Sequence, residues 1–179
     1  MKAIVPERFE RGRLTYERID PEHAADLKRL MLEPRVLATL WPWETKPTDA
    51  DLHASLRAML EQWERHGFGI WLLRERSSDE LIGRGGLQHC TVEGRSAVEA
   101  AWAVMPQRWG EGFATELAHT SVEVAFGGLH LHELIAFTLP HNLASRRVME
   151  KSGFEYERDI EHAGLPHVLY RHPPPTEAD

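Results

Sequence analysis

Apolar and polar positions along the chain fall into short runs whose period changes between two and about three and a half. From Arg13 to Ile19 the apolar residues Leu14, Tyr16 and, less cleanly, Ile19 alternate with polar ones, which predicts a strand. Asp20-Pro21 then offers an N-cap and a proline at the first helical position. A helix through about Glu33 should follow, with Ala24, Leu27, Leu30 and Met31 on one face, and Pro34 should stop it. Leu40-Trp41-Pro42-Trp43 is apolar but broken, and reads as a loop. Thr48 with Asp51 three residues on forms a capping-box signature. The stripe Leu52, Leu56, Met59, Leu60 and Trp63 carries that helix to Gly67.

Three extended runs come next, 69–74, 81–89 and 96–105, punctuated by Ser77-Ser78-Asp79 and Glu93-Gly94-Arg95. They predict an antiparallel meander. Beyond it helix and strand alternate: helix 112–126, strand 134–139, helix 142–151, strand 154–160 and a last strand 167–171. The expectation is an α/β (α+β) domain over residues 1–172, with a mixed, mostly antiparallel sheet of about seven strands flanked by helices. Residues 173–179, three prolines and a polar end, read as a loose tail.

Composition narrows the classes. A chain of 179 residues with 42% hydrophobic positions can bury a core without disulfide or metal. Its single cysteine, Cys90, excludes an internal disulfide framework and a thiolate-rich zinc site. No metal site is expected, because His130-Leu-His132-Glu133 lacks the spacing of two ligands one helical turn apart. No run approaches the length of a membrane span, and the start has no signal-peptide pattern, so a cytoplasmic location is expected. With 21 Lys+Arg against 28 Asp+Glu, the net charge of −7 argues against nucleic acid or an anionic membrane as partner.

One segment carries chemistry. After the run ending near Pro106, Trp109-Gly110-Glu111-Gly112-Phe113-Ala114-Thr115-Glu116 crosses a turn and opens a helix. Glycines let backbone approach a ligand, and a helix start presents free N–H groups that suit phosphate oxygens. The same pattern also serves an ordinary strand-to-helix turn. A Walker loop is excluded, since no Gly-Lys-Ser/Thr occurs. A dinucleotide fingerprint fails because Thr115 stands where its third glycine belongs.

This segment resembles the acyl-CoA pyrophosphate loop of the GNAT acetyltransferase superfamily. Gly112 and Ala114 fill the last two fixed positions of the family pattern, and Trp109 stands where Gln or Arg is commoner. The Trp-Gly-x-Gly-x-Ala-Thr-Glu form is similar to the RimJ/RimL-type branch, whose members acetylate amines such as protein N-termini. A second block of that branch appears as Asn142-Leu-Ala-Ser145-Arg-Arg-Val148-Met-Glu-Lys151-Ser-Gly153-Phe154, and Leu81-Ile-Gly83-Arg-Gly-Gly-Leu87 resembles its third strand.

The resemblance implies a GNAT acyl-CoA N-acyltransferase fold and acetyl-CoA as co-substrate, lying where the fourth and fifth strands splay apart. Backbone at Val104 and Met105 would pair with the pantetheine arm. Trp109, Gly110, Glu111, Gly112, Phe113, Ala114 and Thr115 would surround the pyrophosphate. Asn142 would hydrogen-bond the arm or simply cap its helix. Arg147, with Arg146 and Lys151, would add positive charge or form a solvated face. Glu111 departs from relatives that carry Lys or Arg there, and a carboxylate beside phosphate would cost affinity.

Acetyl transfer from a thioester needs a neutral amine, a polarised carbonyl and a proton for the leaving thiolate. A lysine-like amine with pKa about 10.4 needs far more help than an α-amine near 7.7–8.0. Glu99, where relatives carry a strand glutamate, is the leading base; an edge-of-strand ion pair is its alternative, and His89 is second. The tyrosine acid of many relatives is replaced by Met149. Ser145 is the hydroxyl left to serve the sulfur, unless it bonds back to its own helix. Cys90 and His89, adjacent on a strand, face opposite ways and cannot form a dyad. Trp41, Trp43 and Trp63 fall where similar enzymes wall the acceptor, either to stack on a substrate or, the favoured reading, simply to pack. The resemblance implies an amine acceptor, a peptide N-terminus or a small molecule, which the acidic balance would draw in; a homodimer is allowed. The alternative reading is a non-catalytic acyl-CoA-binding module.

Overall fold

The computed structural model describes residues 5–41 and 45–174. Eight strands form one sheet in the order β1-β2-β3-β4-β5-β6-β8-β7. They are β1 (Arg8–Arg11), β2 (Leu14–Arg18), β3 (Ile70–Glu75), β4 (Leu81–Val92), β5 (Arg95–Val104), β6 (Leu134–Thr138), β7 (Glu155–His162) and β8 (Leu165–His172). The α-helices are α1 (Ala24–Met31), α2 (Pro34–Leu40), α3 (Asp49–His66), α4 (Phe113–Glu123) and α5 (Leu143–Lys151). Neighbouring strands run antiparallel except β5 and β6, which are parallel.

Three elements differ from the sequence expectation. The sheet has an eighth strand, β1, whose only apolar residue is Phe9; the ring stacks on Tyr16 at 4.4 Å and supplies the contact that alternation could not reveal. Pro34 does not end helical structure but opens α2. Glu33 caps it, its carboxylate accepting from the N–H groups of Arg35 (2.8 Å) and Val36 (3.2 Å), while proline occupies a position whose N–H needs no partner. The loop expected from Leu40 therefore begins one residue later. Pro42 and Trp43, like the tail beyond Pro174, lie outside the described residues. The helix expected over 112–126 is α4 followed by a π-turn, Val124–Gly128.

The capping box at Thr48 forms as read: Asp51 N–H donates to Thr48 Oγ1 (3.2 Å) and Thr48 N–H to Asp51 (2.7 Å). Both faces of the sheet are covered. On one, Tyr16, Trp71 and Leu87 pack against Phe113 and Leu117 of α4 and Met149 of α5. On the other, Ile70 and Leu72 meet Leu27 of α1 and Met59 of α3. Trp63 belongs to the core, its indole donating to the Ile70 carbonyl at 2.9 Å, and not to an acceptor wall.

The feature that positions the site is the β5–β6 pair. Their only partnered residues are Glu99 and Ile135, beyond which the two strands part. Glu99 therefore sits at the apex of a V whose arms are the C-terminal halves of β5 and β6.

Candidate active site

A cavity of about 300 Å³ opens at this divergence, with Glu99, Asn142 and Ser145 all on its wall. Sequence separation gives no hint of this meeting; the sheet order and the return of α5 onto it do. Glu99 is only 6% exposed. One of its oxygens accepts from the side-chain amide of Gln88, its cross-strand partner in β4, at 2.8 Å. Burial pushes the Glu99 carboxyl up to about 7, with the Gln88 hydrogen bond and the Arg84 charge pulling back. Such a group is ionised about half the time near neutral pH and can take up a proton there.

That shift has a consequence for folding. Between the ordinary carboxylate value of 4.5 and about 7, folded Glu99 holds a proton that the unfolded chain has released. Its contribution therefore becomes less favourable as pH rises through that window, and levels off above it. Thermal melts should show Glu99→Gln gaining stability relative to wild type between pH 5 and pH 8. An equal difference at both pH values would contradict this environment for Glu99.

The edge of β5 is partly open. Met105 N–H donates to Ile82 O at 2.8 Å and Met105 O accepts from Arg108 N–H at 2.9 Å. The N–H of Met105 thus points across to β4. Strand alternation turns the backbone of Val104 the other way, toward the gap. There its carbonyl accepts from the Trp109 indole at 2.7 Å. Trp109 remains 45% exposed, with the Arg35 guanidinium 5.0 Å from its ring centre.

From there the chain passes a 3₁₀ turn, Pro106–Arg108, and enters the glycine loop. Gly110 (φ 81°) and Gly112 (φ 86°) are left-handed, and α4 starts after Gly112 with no side-chain cap on its first N–H groups. Phe113 is buried beneath the loop, with the guanidinium groups of Arg13 and Arg108 at 4.1 and 4.8 Å from its ring centre. Ala114 and Thr115 continue the first turn. Glu111 turns to Arg108 (3.0 Å), which also binds Glu75 (2.8 Å) and Glu80 (3.2 Å). The carboxylate feared beside phosphate is thus held by a cation three residues back. Arg13 was not singled out by sequence; it donates to the Glu111 carbonyl (3.0 Å) and to Glu116 (3.0 Å), tying the β1–β2 turn to the loop.

On α5, Asn142 Oδ1 caps the helix by accepting from Ser145 N–H (3.2 Å), while Nδ2 donates to Thr138 Oγ1 (3.1 Å). Ser145 makes no bond back to the helix among the described residues. Met149 is buried on the cavity wall. Arg146 donates to Tyr170 and to the Pro140 carbonyl. Arg147 is exposed and lies off the cavity lining, as does Lys151. His89 is also outside: its ring stacks on His66 at 4.7 Å. Cys90 does line the cavity, but burial and nearby Glu99 push its thiol up to about 12, which leaves it protonated and poorly nucleophilic. Arg84, Gln88, Thr39, His162 and His167, also on the wall, were missed. Among the described residues no cluster could hold a metal ion, and no helix is long and apolar enough to cross a membrane.

A strand pair that splays beside a glycine turn and an uncapped helix defines an acyl-CoA-type acetyltransferase architecture. The family model described as acetyltransferase (GNAT) domain matches residues 13–155, and the chain belongs to that family. Among curated relatives, an uncharacterised N-acetyltransferase of Bacillus subtilis (strain 168), YoaA, is 32% identical over 87 residues, covering 49% of each chain. The chain spans about half the length of several of the curated relatives it matches. Its fold is that of the acetyltransferase from Agrobacterium tumefaciens str. C58, with a TM-score of 0.79 at 22% identity and 94% of both chains covered. The fold is also that of spermidine N-acetyltransferase from Vibrio cholerae, solved with CoA and spermine: TM-score 0.68, 18% identity, 89% of this chain and 93% of that one.

Proposed function

We propose that this protein transfers an acetyl group from acetyl-CoA to a primary amine by direct attack, without a covalent enzyme intermediate. The observation that carries this reading is the cavity at the β5–β6 divergence, where a buried carboxyl poised near neutrality and the Ser145 hydroxyl share one wall. The family match supports acetyl-CoA as donor, as does the solved relative with CoA. The two sequence blocks that resemble RimJ/RimL-type enzymes support an α-amine acceptor, whose pKa of about 7.7–8.0 asks little of a base.

The residues present fit the donor. The open side of Val104 can pair with an amide-bearing arm in the manner of an added strand. The left-handed turn at Gly110 and Gly112 leaves room for phosphate oxygens, and the first N–H groups of α4, which no side chain caps, would hold them. When bound, acetyl-CoA supplies the activated thioester. Glu99 takes the proton that the amine releases, Asn142 orients the start of α5, and the Ser145 hydroxyl donates a hydrogen bond to the departing sulfur, which takes its proton from solvent. The Gln88 amide keeps the Glu99 carboxyl turned into the cavity.

Ser145→Ala should lower kcat by about tenfold with little change in KM for acetyl-CoA; the effect is modest because a thiolate of pKa near 8.5 leaves readily unaided. Steady-state thiol release measures it, and an unchanged kcat would remove Ser145 from the chemistry. The overall reading is tested by thiol release from acetyl-CoA across a panel of amines that includes peptides with free α-amines. Turnover on at least one supports it. Tight acetyl-CoA binding with no amine turned over would favour a non-catalytic acyl-CoA module, the reading to which Met149 at the usual tyrosine position points.

A further inference from the structure

The least explained group on the cavity wall is Arg84. It lies on β4 opposite Ala103, in the run Ile82-Gly83-Arg84-Gly85-Gly86, with strands on both sides. Among the described residues its guanidinium has no hydrogen bond or ion pair, and its Nε is shut off from solvent without a partner. The neighbouring arginines behave differently: Arg74 and Arg108 are each held by carboxylates. Arg84 is half-buried and feels the Glu99 charge through space, but a guanidinium nitrogen shut off from solvent without a hydrogen bond is still costly. A ligand that brings an acceptor to this group would offset the cost.

The described residues of the wall do not supply it. Glu99 is the one acidic residue among them, and although its charge acts on Arg84 its hydrogen bond goes to Gln88. Thr39, Leu40, Ala101, Trp102 and Leu139 are neutral. Glu99 pairs with Gln88, four residues along β4 from Arg84, which is about 13 Å of strand. Turned along β4, the long arginine side chain would cover much of that span and leave room for only a few atoms of acceptor between the two groups.

Resting on the acetyltransferase reading above, we infer that Arg84 binds a carboxylate of the acceptor, so that the substrate is a small amino acid-like amine with its acid a few atoms from the nitrogen. The amine faces Glu99 and the acid faces Arg84. Guanidinium and carboxylate match as parallel donor and acceptor pairs, which fixes the direction in which the amine enters. A polyamine would instead place one cation against another. The acidic net charge of the chain does not oppose this, since a zwitterion carries no net charge to repel.

The test compares matched acceptors, each α-amino acid against its own amide, by kcat/KM for thiol release. It is run at pH 8.5, where Glu99 is ionised in wild type, and each variant is judged by its own acid-to-amide ratio, in which any change in Glu99 ionisation cancels. The amide's amine is the less basic of each pair, so a preference for the acid cannot arise from amine ionisation. Wild type should prefer the acid by about 10- to 100-fold, the worth of a charge-assisted hydrogen bond. Arg84→Gln should reduce that preference to within about threefold, and Arg84→Lys should keep part of it. Thermal melts should show Arg84→Gln at least as stable as wild type; a large loss of Tm would make Arg84 structural and overturn the inference. So would equal use of acid and amide by wild type, or a preference that survives in Arg84→Gln. If no amine is turned over, the acetyltransferase reading fails separately. Calorimetry with N-acetyl-L-alanine and N-acetyl-L-alaninamide in the presence of CoA then decides: selective binding of the acid, lost in Arg84→Gln, supports the inference, and equal or no binding overturns it.

Discussion

Glu99→Gln is expected to lower kcat/KM for the amine by about 100- to 1000-fold, the usual range for loss of a general base. The substitution preserves size and can still meet Gln88, so the fold should survive. Its signature is the pH profile. In wild type, kcat/KM should rise with pH until about 7, where the Glu99 carboxyl loses its proton, and a second rise should follow the acceptor amine. In Glu99→Gln the inflection near 7 should vanish and only the amine's should remain. A mere edge-of-strand ion pair would behave otherwise, losing stability at neutral pH and keeping its pH profile. The geometry already disfavours that role, because Glu99 is 6% exposed and its hydrogen-bond partner is an amide. A variant within a factor of two of wild type, with both inflections intact, would remove Glu99 from the reaction.

Gly112→Val should raise the Kd for acetyl-CoA by at least about tenfold, which corresponds to about 1.4 kcal/mol. At Gly112 the backbone has φ 86°, and a β-branched residue forced there costs about 1–3 kcal/mol or shifts the turn. The nearest neighbour to an added Cβ is an Arg13 guanidinium nitrogen at 3.6 Å, so crowding is not the cause; the torsion is. A shifted turn would misdirect the first N–H groups of α4, which no side chain caps. Gly112→Asn, which tolerates a left-handed backbone, should lose much less. Calorimetric titration with acetyl-CoA separates the three proteins. Equal affinity in all of them would mean that this loop does not cradle the pyrophosphate.

Local signals carried most of the fold. The Thr48–Asp51 box, the α3 stripe and the meander could be read directly, because cap, period and turn residues lie within a few positions of one another. What was lost needed distant partners. The strand β1 is specified by Phe9 stacking on Tyr16 across a hairpin, and its own four residues hold no alternation. The helix α2 was hidden because proline both ends one helix and begins the next, and only the Glu33 cap distinguishes the two.

The candidate site divided the same way. The glycine turn and Asn142 stand out as motifs, whereas Gln88 and Arg84 gain meaning only through the β4–β5 register. His162 and His167 reach the cavity only because β7 and β8 fold back across the sheet. Glu111 could have been resolved from sequence, since its cation, Arg108, is three residues away. The charge on Arg84 amid glycines in a buried run was also a visible anomaly.

The most direct test of the central claim is rapid-quench mass spectrometry with enzyme in excess over acetyl-CoA and a turned-over amine present. Direct transfer in the cavity predicts acetylated amine and free CoA appearing together, in equal amounts, with the protein mass unchanged at every time point. Acetylated protein formed before acetylated amine, or CoA released without acetylated amine, would contradict it.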